Sequence, residues 1–153
     1  MKIPATPGPL RLAAGTHAGE LLDLLCSARD DIKLADRVCD TANRSAYLDY
    51  WRGACAAGRV RTVTNGSTLL GMVVLHPHHG RMMEILYVVV AKVAQGQGIG
   101  PLLIRHVQSV DGVAALRAEA RNDRSRRMLE RCGFATTGEA NGEYPILVWQ
   151  RGA

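Results

Sequence analysis

The run Gln95-Gly96-Gln97-Gly98-Ile99-Gly100 constrains this chain more than any other, because an almost unbroken apolar segment over 82–91 leads into it and a helix-patterned segment leads out. Three glycines in five residues let the main chain turn sharply and approach a ligand without Cβ hindrance. Successive N–H groups in such a turn converge on an anion, and the helix end that follows adds its partial positive charge. Pro101 suits a first helical position, since its ring presets φ and its missing N–H would have had no intrahelical partner. Two common phosphate sites do not fit. A dinucleotide fingerprint read from Gly96 needs glycine or alanine where Pro101 stands, and a P-loop needs a Gly-Lys-Ser/Thr ending that is absent. What is left is Gln-x-x-Gly-x-Gly, carried by a strand and followed by a helix.

The rest of the chain reads as alternating elements. Residues 1–9, with Pro4, Pro7, Gly8 and Pro9, form an irregular leader, and 10–153 a single domain. Leu10 to Ala13 suits a short strand and Glu20 to Ala28 a helix. A second helical region spans about 31 to 57, where Tyr47, Trp51 and Ala54 recur at helical spacing. Val60 to Thr64 and Thr68 to His76 flank Asn65-Gly66, a hairpin signal. After the strand 82–91 and the glycine turn comes a helix from Pro101 with Leu103, Val107 and Val110 inward. Val113 to Ala120 is the next strand, Asp123 to Cys132 the last helix, and Phe134 to Thr137 with Tyr144 to Trp149 a terminal hairpin.

Downstream of the turn, Asn122 stands at a strand end, Ser125 three residues on, Met128 on the helix's inner face, and Gly133-Phe134 opens the next strand. These two segments, in this order and separated by one helix and one strand, resemble the two coenzyme-binding motifs of the GNAT N-acetyltransferase family. The resemblance covers roughly residues 10 to 150. It implies an α/β (α+β) fold with a mixed, largely antiparallel central sheet of six to seven strands flanked by about four helices. It also implies acetyl transfer from acetyl-coenzyme A, bound as cosubstrate, to a primary amine in a ternary complex, with no metal and no covalent enzyme intermediate.

Site residues follow from the same resemblance. Gln95, Gly96, Gln97, Gly98, Ile99 and Gly100 would cradle the pyrophosphate. The main chain of Val88, Val89 and Val90 would hold the pantetheine arm and polarise the thioester carbonyl, which fixed N–H donors can do whatever the side chains are. Asn122 would bond the same arm, with Ser125 beside it, although an Asn at this place is also an ordinary helix N-cap. Histone-acetylating members carry a glutamate in the strand before the turn at the spacing of Glu84, which implies that Glu84 is the general base, directly or through water. Simple alternation puts Glu84 on one face with Leu86, Val88 and Val90. Such apolar company disfavours the ionised form and suits a base; the competing reading is a strand-edge carboxylate meeting solvent or an arginine.

One residue departs from the family pattern. Where members often place a tyrosine that protonates the leaving sulfur, this chain has Leu129. A coenzyme A thiol resembles cysteine, with a pKa of about 8.5, so a thiolate can leave near neutral pH. Tyr87 and Tyr144 are candidate replacements, each also readable as packing, and a non-catalytic acyl-coenzyme A-binding module is the rival function.

Charge bears on partners. Net charge is +5, and all but Lys2, Lys33 and Lys92 of the 19 basic residues are arginine. A basic surface attracts the coenzyme's phosphates and nucleic acid alike. Arg121, Arg124, Arg126, Arg127 and Arg131 crowd the last helix, as a solvated face, as contacts to the 3′-phosphate, or for an acidic macromolecule. Small-molecule and protein amines both stay open as acceptors, an RNA-linked amine is disfavoured but open, and a homodimer is neither required nor excluded. The positive charge weighs against a strongly cationic acceptor unless Asp30, Asp31, Asp36, Asp40 and Asp49 cluster. No run reaches the roughly 18 to 20 apolar residues of a membrane span, and the start lacks a secretory pattern, so a cytoplasmic protein is expected. Cys26, Cys39, Cys55 and Cys132 lack paired ligand spacing and read as small apolar packing residues without disulfides. His76, His78 and His79 read as a solvated turn rather than a metal site, and Tyr47, Tyr50 and Trp51 as core more than as a wall for the acceptor.

Overall fold

The computed structural model describes residues 10–28 and 39–152. The leader 1–9, the first part of the second helical region, and Asp30, Asp31 and Asp36 lie outside the described residues. The order is β1 (Leu10–Ala14), α1 (Ala18–Ser27), a 3-10 turn (Thr41–Asn43), α2 (Arg44–Ala56), β2 (Val60–Asn65), β3 (Thr68–Pro77) and β4 (Met82–Val90). A second 3-10 turn (Lys92–Ala94), α3 (Ile99–Gln108), β5 (Ala115–Glu119), α4 (Asp123–Arg131), β6 (Ala135–Asn141) and β7 (Tyr144–Gln150) complete it. The strands form one seven-stranded sheet in the order β1-β2-β3-β4-β5-β7-β6. Every neighbouring pair is antiparallel except β4 and β5. This is an α+β fold, a mixed and mostly antiparallel sheet with four α-helices among the described residues, as the resemblance implied.

Each face of the sheet has its own core. On one, Leu103, Ile104 and Val107 of α3 and Leu129 of α4 meet Val73, Leu75, Leu116 and Leu147. On the other, Leu22 and Leu25 of α1 and Trp51 and Ala54 of α2 meet Val60, Met72, Val74 and Val89. Burying each large aliphatic side chain contributes about 1.5–3 kcal/mol, so amphipathic stripes too short to hold a helix alone are held by the sheet. Gly71 on β3 admits α3 to close range: a Cβ there would come within 3.0 Å of both Ile99 Cγ2 and the Val89 carbonyl oxygen.

Several elements depart from the sequence reading for local reasons. The β2–β3 turn centres on Gly66 and Ser67, since Asn65 pairs with Thr68, and the left-handed φ of 61° at Gly66 suits the first central position of a primed hairpin turn. α3 begins at Ile99 with Gly98 as N-cap, φ 80°. Pro101 is therefore the third helical residue rather than the first, still within the turn where a missing N–H costs nothing. Contrary to the expectation of isolated thiols, Cys26 and Cys39 form a disulfide, with Cα atoms 5.6 Å apart, while Cys132 is buried and Cys55 half-buried as free thiols.

β4 differs most from simple alternation. Val74 pairs with Tyr87 and Leu75 with Ile85, so Leu86 is an extra residue, a β-bulge. Met83 and Ile85 before the bulge and Val88 and Val90 after it all turn to the α3–α4 core, whereas Tyr87 and Val89 turn to the α1–α2 core. Glu84 thus lies on the face of Tyr87 and Val89, not on that of Val88 and Val90.

Candidate active site

β4 and β5 pair in parallel through three positions, ending at Glu84 and Arg117. Beyond that point β4 runs on to Val90 and β5 to Glu119 without pairing, so the sheet opens into a V. A cavity of about 670 Å³ occupies the opening, within the range of small-molecule sites. One wall is β4 from Ile85 to Val90; the other is Ala118 and Glu119 with Arg121 and Asn122. The unpaired edge of β4 leaves main-chain N–H and C=O groups facing the gap, groups that a buried site must satisfy.

At the α3 end the cavity meets Gln95, Gly96, Gly98, Ile99 and Gly100. Gly96 and Gly98 take φ of 78° and 80°, conformations that L side chains rarely adopt. Ile99 and Gly100 are the first two helical residues, whose N–H groups have no intrahelical acceptor. Gln95 secures the turn by donating from Nε2 to the Val90 carbonyl at 3.2 Å. A Cβ at Gly100 would lie 2.9 Å from Met128 Sδ, so its absence lets α4 close on the turn. The exposed Gln97 does not line the cavity; its Nε2 donates to the Val93 carbonyl at 3.5 Å. Main-chain donors in a concave turn at a helix start, beside Arg124 and Arg131 in the same wall, suit a diphosphate.

α4 brings its residues in through a capping box. Ser125 N–H donates to Asn122 Oδ1 at 2.8 Å, and Asn122 N–H donates to Ser125 Oγ at 3.2 Å. Both residues line the cavity. The cap role weighed for Asn122 is therefore realised, and its Oδ1 is engaged in it. Leu129 also lines the cavity and is buried in the core, so no hydroxyl stands there.

The two glutamates of these strands have different surroundings. Glu84 forms an ion pair with Arg117 at the vertex, with His78 Nδ1 3.9 Å from its Oε2, and it does not line the cavity. The apolar company expected for it is replaced by a guanidinium, because the bulge turns it to the other face. Glu119, two strand positions on from Arg117, does line the cavity, the one carboxylate among the described lining residues. Its Oε2 lies 2.9 Å from Arg121 Nη2, and its Oε1 accepts from Asn141 Nδ2 at 2.8 Å. Arg121 lies over the Tyr144 ring, 4.5 Å from its centroid. Glu119 carried no motif; a charge ending an otherwise plain strand was its only trace in the sequence.

Tyr87 lines the same mouth and packs near Trp51, ring centroids 6.1 Å apart. Burial raises its phenol pKa above the usual value, Tyr47 and Tyr50 add to the rise, and Arg121 opposes it. The phenol accordingly keeps its proton. Trp51 is core, as its spacing indicates, whereas Tyr50 is exposed and its hydroxyl lies 3.0 Å from His76 Nδ1. Asp49 pairs with Arg52 at 3.1 Å and Asp40 accepts from the Ala42 N–H; neither lines the cavity. Among the described residues no three His, Cys, Asp or Glu side chains cluster to hold a metal ion, and no helix is long and apolar enough to cross a membrane.

The chain belongs to the Acetyltransferase (GNAT) family, whose model matches residues 25–134. It is thus an acetyl-coenzyme A-dependent acyltransferase by family. Its fold is similar to that of PaiA N-acetyltransferase from Thermoplasma acidophilum, solved in complex with coenzyme A, with a TM-score of 0.78 at 12% identity over 94% of this chain and 99% of that one. An N-acetyltransferase from Staphylococcus aureus Mu50 gives 0.71 at 13% identity over 94% and 99%. A GCN5-related N-acetyltransferase from Kribbella flavida gives 0.70 at 24% identity over 89% of this chain, which spans 35% of that one. No curated protein matches.

Proposed function

We propose that this protein transfers acetyl from acetyl-coenzyme A to a primary amine by direct attack within a ternary complex. The opening of the sheet beyond Glu84 and Arg117 carries this reading, because it joins a main-chain anion cradle at one end to a polar mouth at the other. The turn from Gly96 to Gly100 would hold the pyrophosphate, with Arg124 and Arg131 toward the phosphates. The unpaired main chain of Val88 to Val90 would take the pantetheine arm and polarise the thioester carbonyl, and Asn122 and Ser125 would shape the opposite wall. Fixed donors of this kind need no reorganisation as charge develops on oxygen.

The amine nitrogen bonds to the acyl carbon as the carbon–sulfur bond breaks, and an ammonium gives up two protons on the way, one before attack to free its electron pair and one as the amide forms, the second balancing the proton taken up by the sulfur. An alkylammonium, with a pKa of about 10.4, has no free electron pair near neutral pH, so a proton acceptor is needed. We assign the first proton to Glu119, the carboxylate in the cavity wall, and to Glu84 the clasping of Arg117 where the strands part. The departing thiolate accepts a hydrogen bond from Tyr87, whose phenol stays protonated in its buried setting, and takes its proton from the amide-forming nitrogen through water.

Calorimetry with acetyl-coenzyme A, followed by thiol release across classes of amine and the mass of the product, tests the proposal. Binding and an acetylated amine are expected. Leu129 motivates the second reading, a binder without turnover: uptake of acetyl-coenzyme A with no thiol released by any amine, and no effect of Glu119→Gln, would favour it.

A further inference from the structure

We propose that the acceptor is a primary amine with a carboxylate beside it, an amino acid rather than a polyamine or simple alkylamine, and that Arg121 and Glu119 read its two charges. The inference rests on the transfer activity proposed above and names its substrate class.

Arg121 borders two hollows at once. It lines the main cavity, and with Asn122 it also lines a second, polar recess of about 330 Å³ whose other walls include Arg126, Glu143 and Tyr144. A molecule whose amine points into the main cavity would lay its remaining groups across Arg121 into this recess. The side chain is held ready for that contact, since Glu119 fixes one edge of the guanidinium at 2.9 Å and Tyr144 supports its face at 4.5 Å. One Nη2 contact leaves the other donors of the five-donor fork for a carboxylate, which a guanidinium binds through two parallel hydrogen bonds. On Glu119, one contact at each oxygen leaves a further acceptor lone pair on each for an ammonium.

Charge balance points the same way. Among the described residues lining the main cavity, Glu119 faces three arginines, Arg121, Arg124 and Arg131. Arg124 and Arg131 rise from α4 beside the glycine turn and are suited to the coenzyme's phosphates; Arg121 stands at the β5 end, next to the carboxylate. In the main cavity a polycation would find one acid, already paired, while Asp123 and Glu143 line the recess together with Arg126. An amino acid brings one charge for each partner and leaves the local balance unchanged.

The test uses matched acceptors on the intact protein: several amino acids, the C-terminal amide of each, and the amine left by removing the carboxyl group, with spermidine as a polycation. Thiol release is followed at saturating acetyl-coenzyme A. The free acid is expected to exceed its amide and its decarboxylated partner by at least about 10-fold in kcat/KM, the lower end of what pocket contacts discriminate. Arg121→Met should erase the preference through KM for the acid, Arg121→Lys should restore part of it, and calorimetric affinity for acetyl-coenzyme A should be unchanged in both, which also verifies folding. Faster turnover of the amide, the simple amine or spermidine overturns the inference while leaving acetyl transfer standing. So does a loss of acetyl-coenzyme A affinity in Arg121→Met, which would give that side chain to the donor. Absence of thiol release with every acceptor overturns both readings.

Discussion

At the glycine turn the cavity wall is main chain, bent through two left-handed glycines and ending in the first amides of α3; at the opposite mouth it is side chain, with Glu119, Arg121 and Tyr87 supplied by separate strands and the segment after β5. In the proposed complex the donor end would recognise a diphosphate, a ligand of fixed shape and charge, with groups that every residue carries. The acceptor end is set by whichever side chains reach it. Backbone recognition demands particular torsions and so leaves glycines at fixed spacing. Recognition by side chains demands only proximity in space, which no local spacing records.

The sharpest way to break this contrast is to exchange the roles given to the two glutamates. Glu119→Gln should lower kcat by about 10² to 10⁴, the range for loss of a positioned acid or base, while Glu84→Gln changes it far less. Parallel turnover assays decide between them, and the reverse order would return the base to the vertex. Reduction of the Cys26–Cys39 bridge, which closes a separation of 13 residues on the α1–α2 side, should cost about 2–4 kcal/mol of stability. Denaturant midpoints with and without reductant measure it. Acetyl-coenzyme A affinity of the folded protein should not follow, and if it did the two ends would not be independent. Gly98→Val should weaken acetyl-coenzyme A by roughly 10-fold, since holding an L residue in the left-handed region costs about 1–2 kcal/mol. Calorimetry reads this directly, with acceptor preference unchanged.

The smallest effect expected is of pH, and it tests the frame behind the donor end. On α3, His106 has a buried Nε2 without a hydrogen-bond partner, and burial first, then Arg61, holds its pKa below the usual imidazole value. Between the folded value and the ordinary one near about 6.5, the unfolded chain binds more protons, so stability should fall as pH drops below about 6.5. His106→Gln should flatten that limb in urea titrations at pH about 8 and about 5.5. An unchanged slope would mean that the imidazole titrates normally.

Much of the donor half was legible because its determinants are local. Gly96, Gly98 and Gly100 mark the turn, and Asn122 with Ser125 marks the α4 start, so the family pattern and the order of elements could be read directly. The placement of Pro101 was missed by two positions because Gly98, not the proline, begins the helix. What escaped depends on distant partners. Glu84 changes face because β3 holds Ile85 and Tyr87 in a register that leaves Leu86 over, a fact that belongs to the pair of strands. Cys26 and Cys39 meet in space, with Cα atoms 5.6 Å apart, whereas their spacing matched no ligand motif. Glu119 and Arg121 acquire their joint setting from Asn141 and Tyr144, about twenty residues further along the chain.

Nothing in the packing asks for Leu86. Were it taken out, Ile85 and Val88 would stand two apart, as ordinary pleating requires, and each would still enter the core it enters now. What the residue supplies is surplus length along one border of a seam, and a seam with one border cut longer must pucker. In this strand the demands of folding and of the proposed binding can therefore be told apart by counting: the core is served by the even rhythm, and the one beat that breaks it falls in the cavity wall.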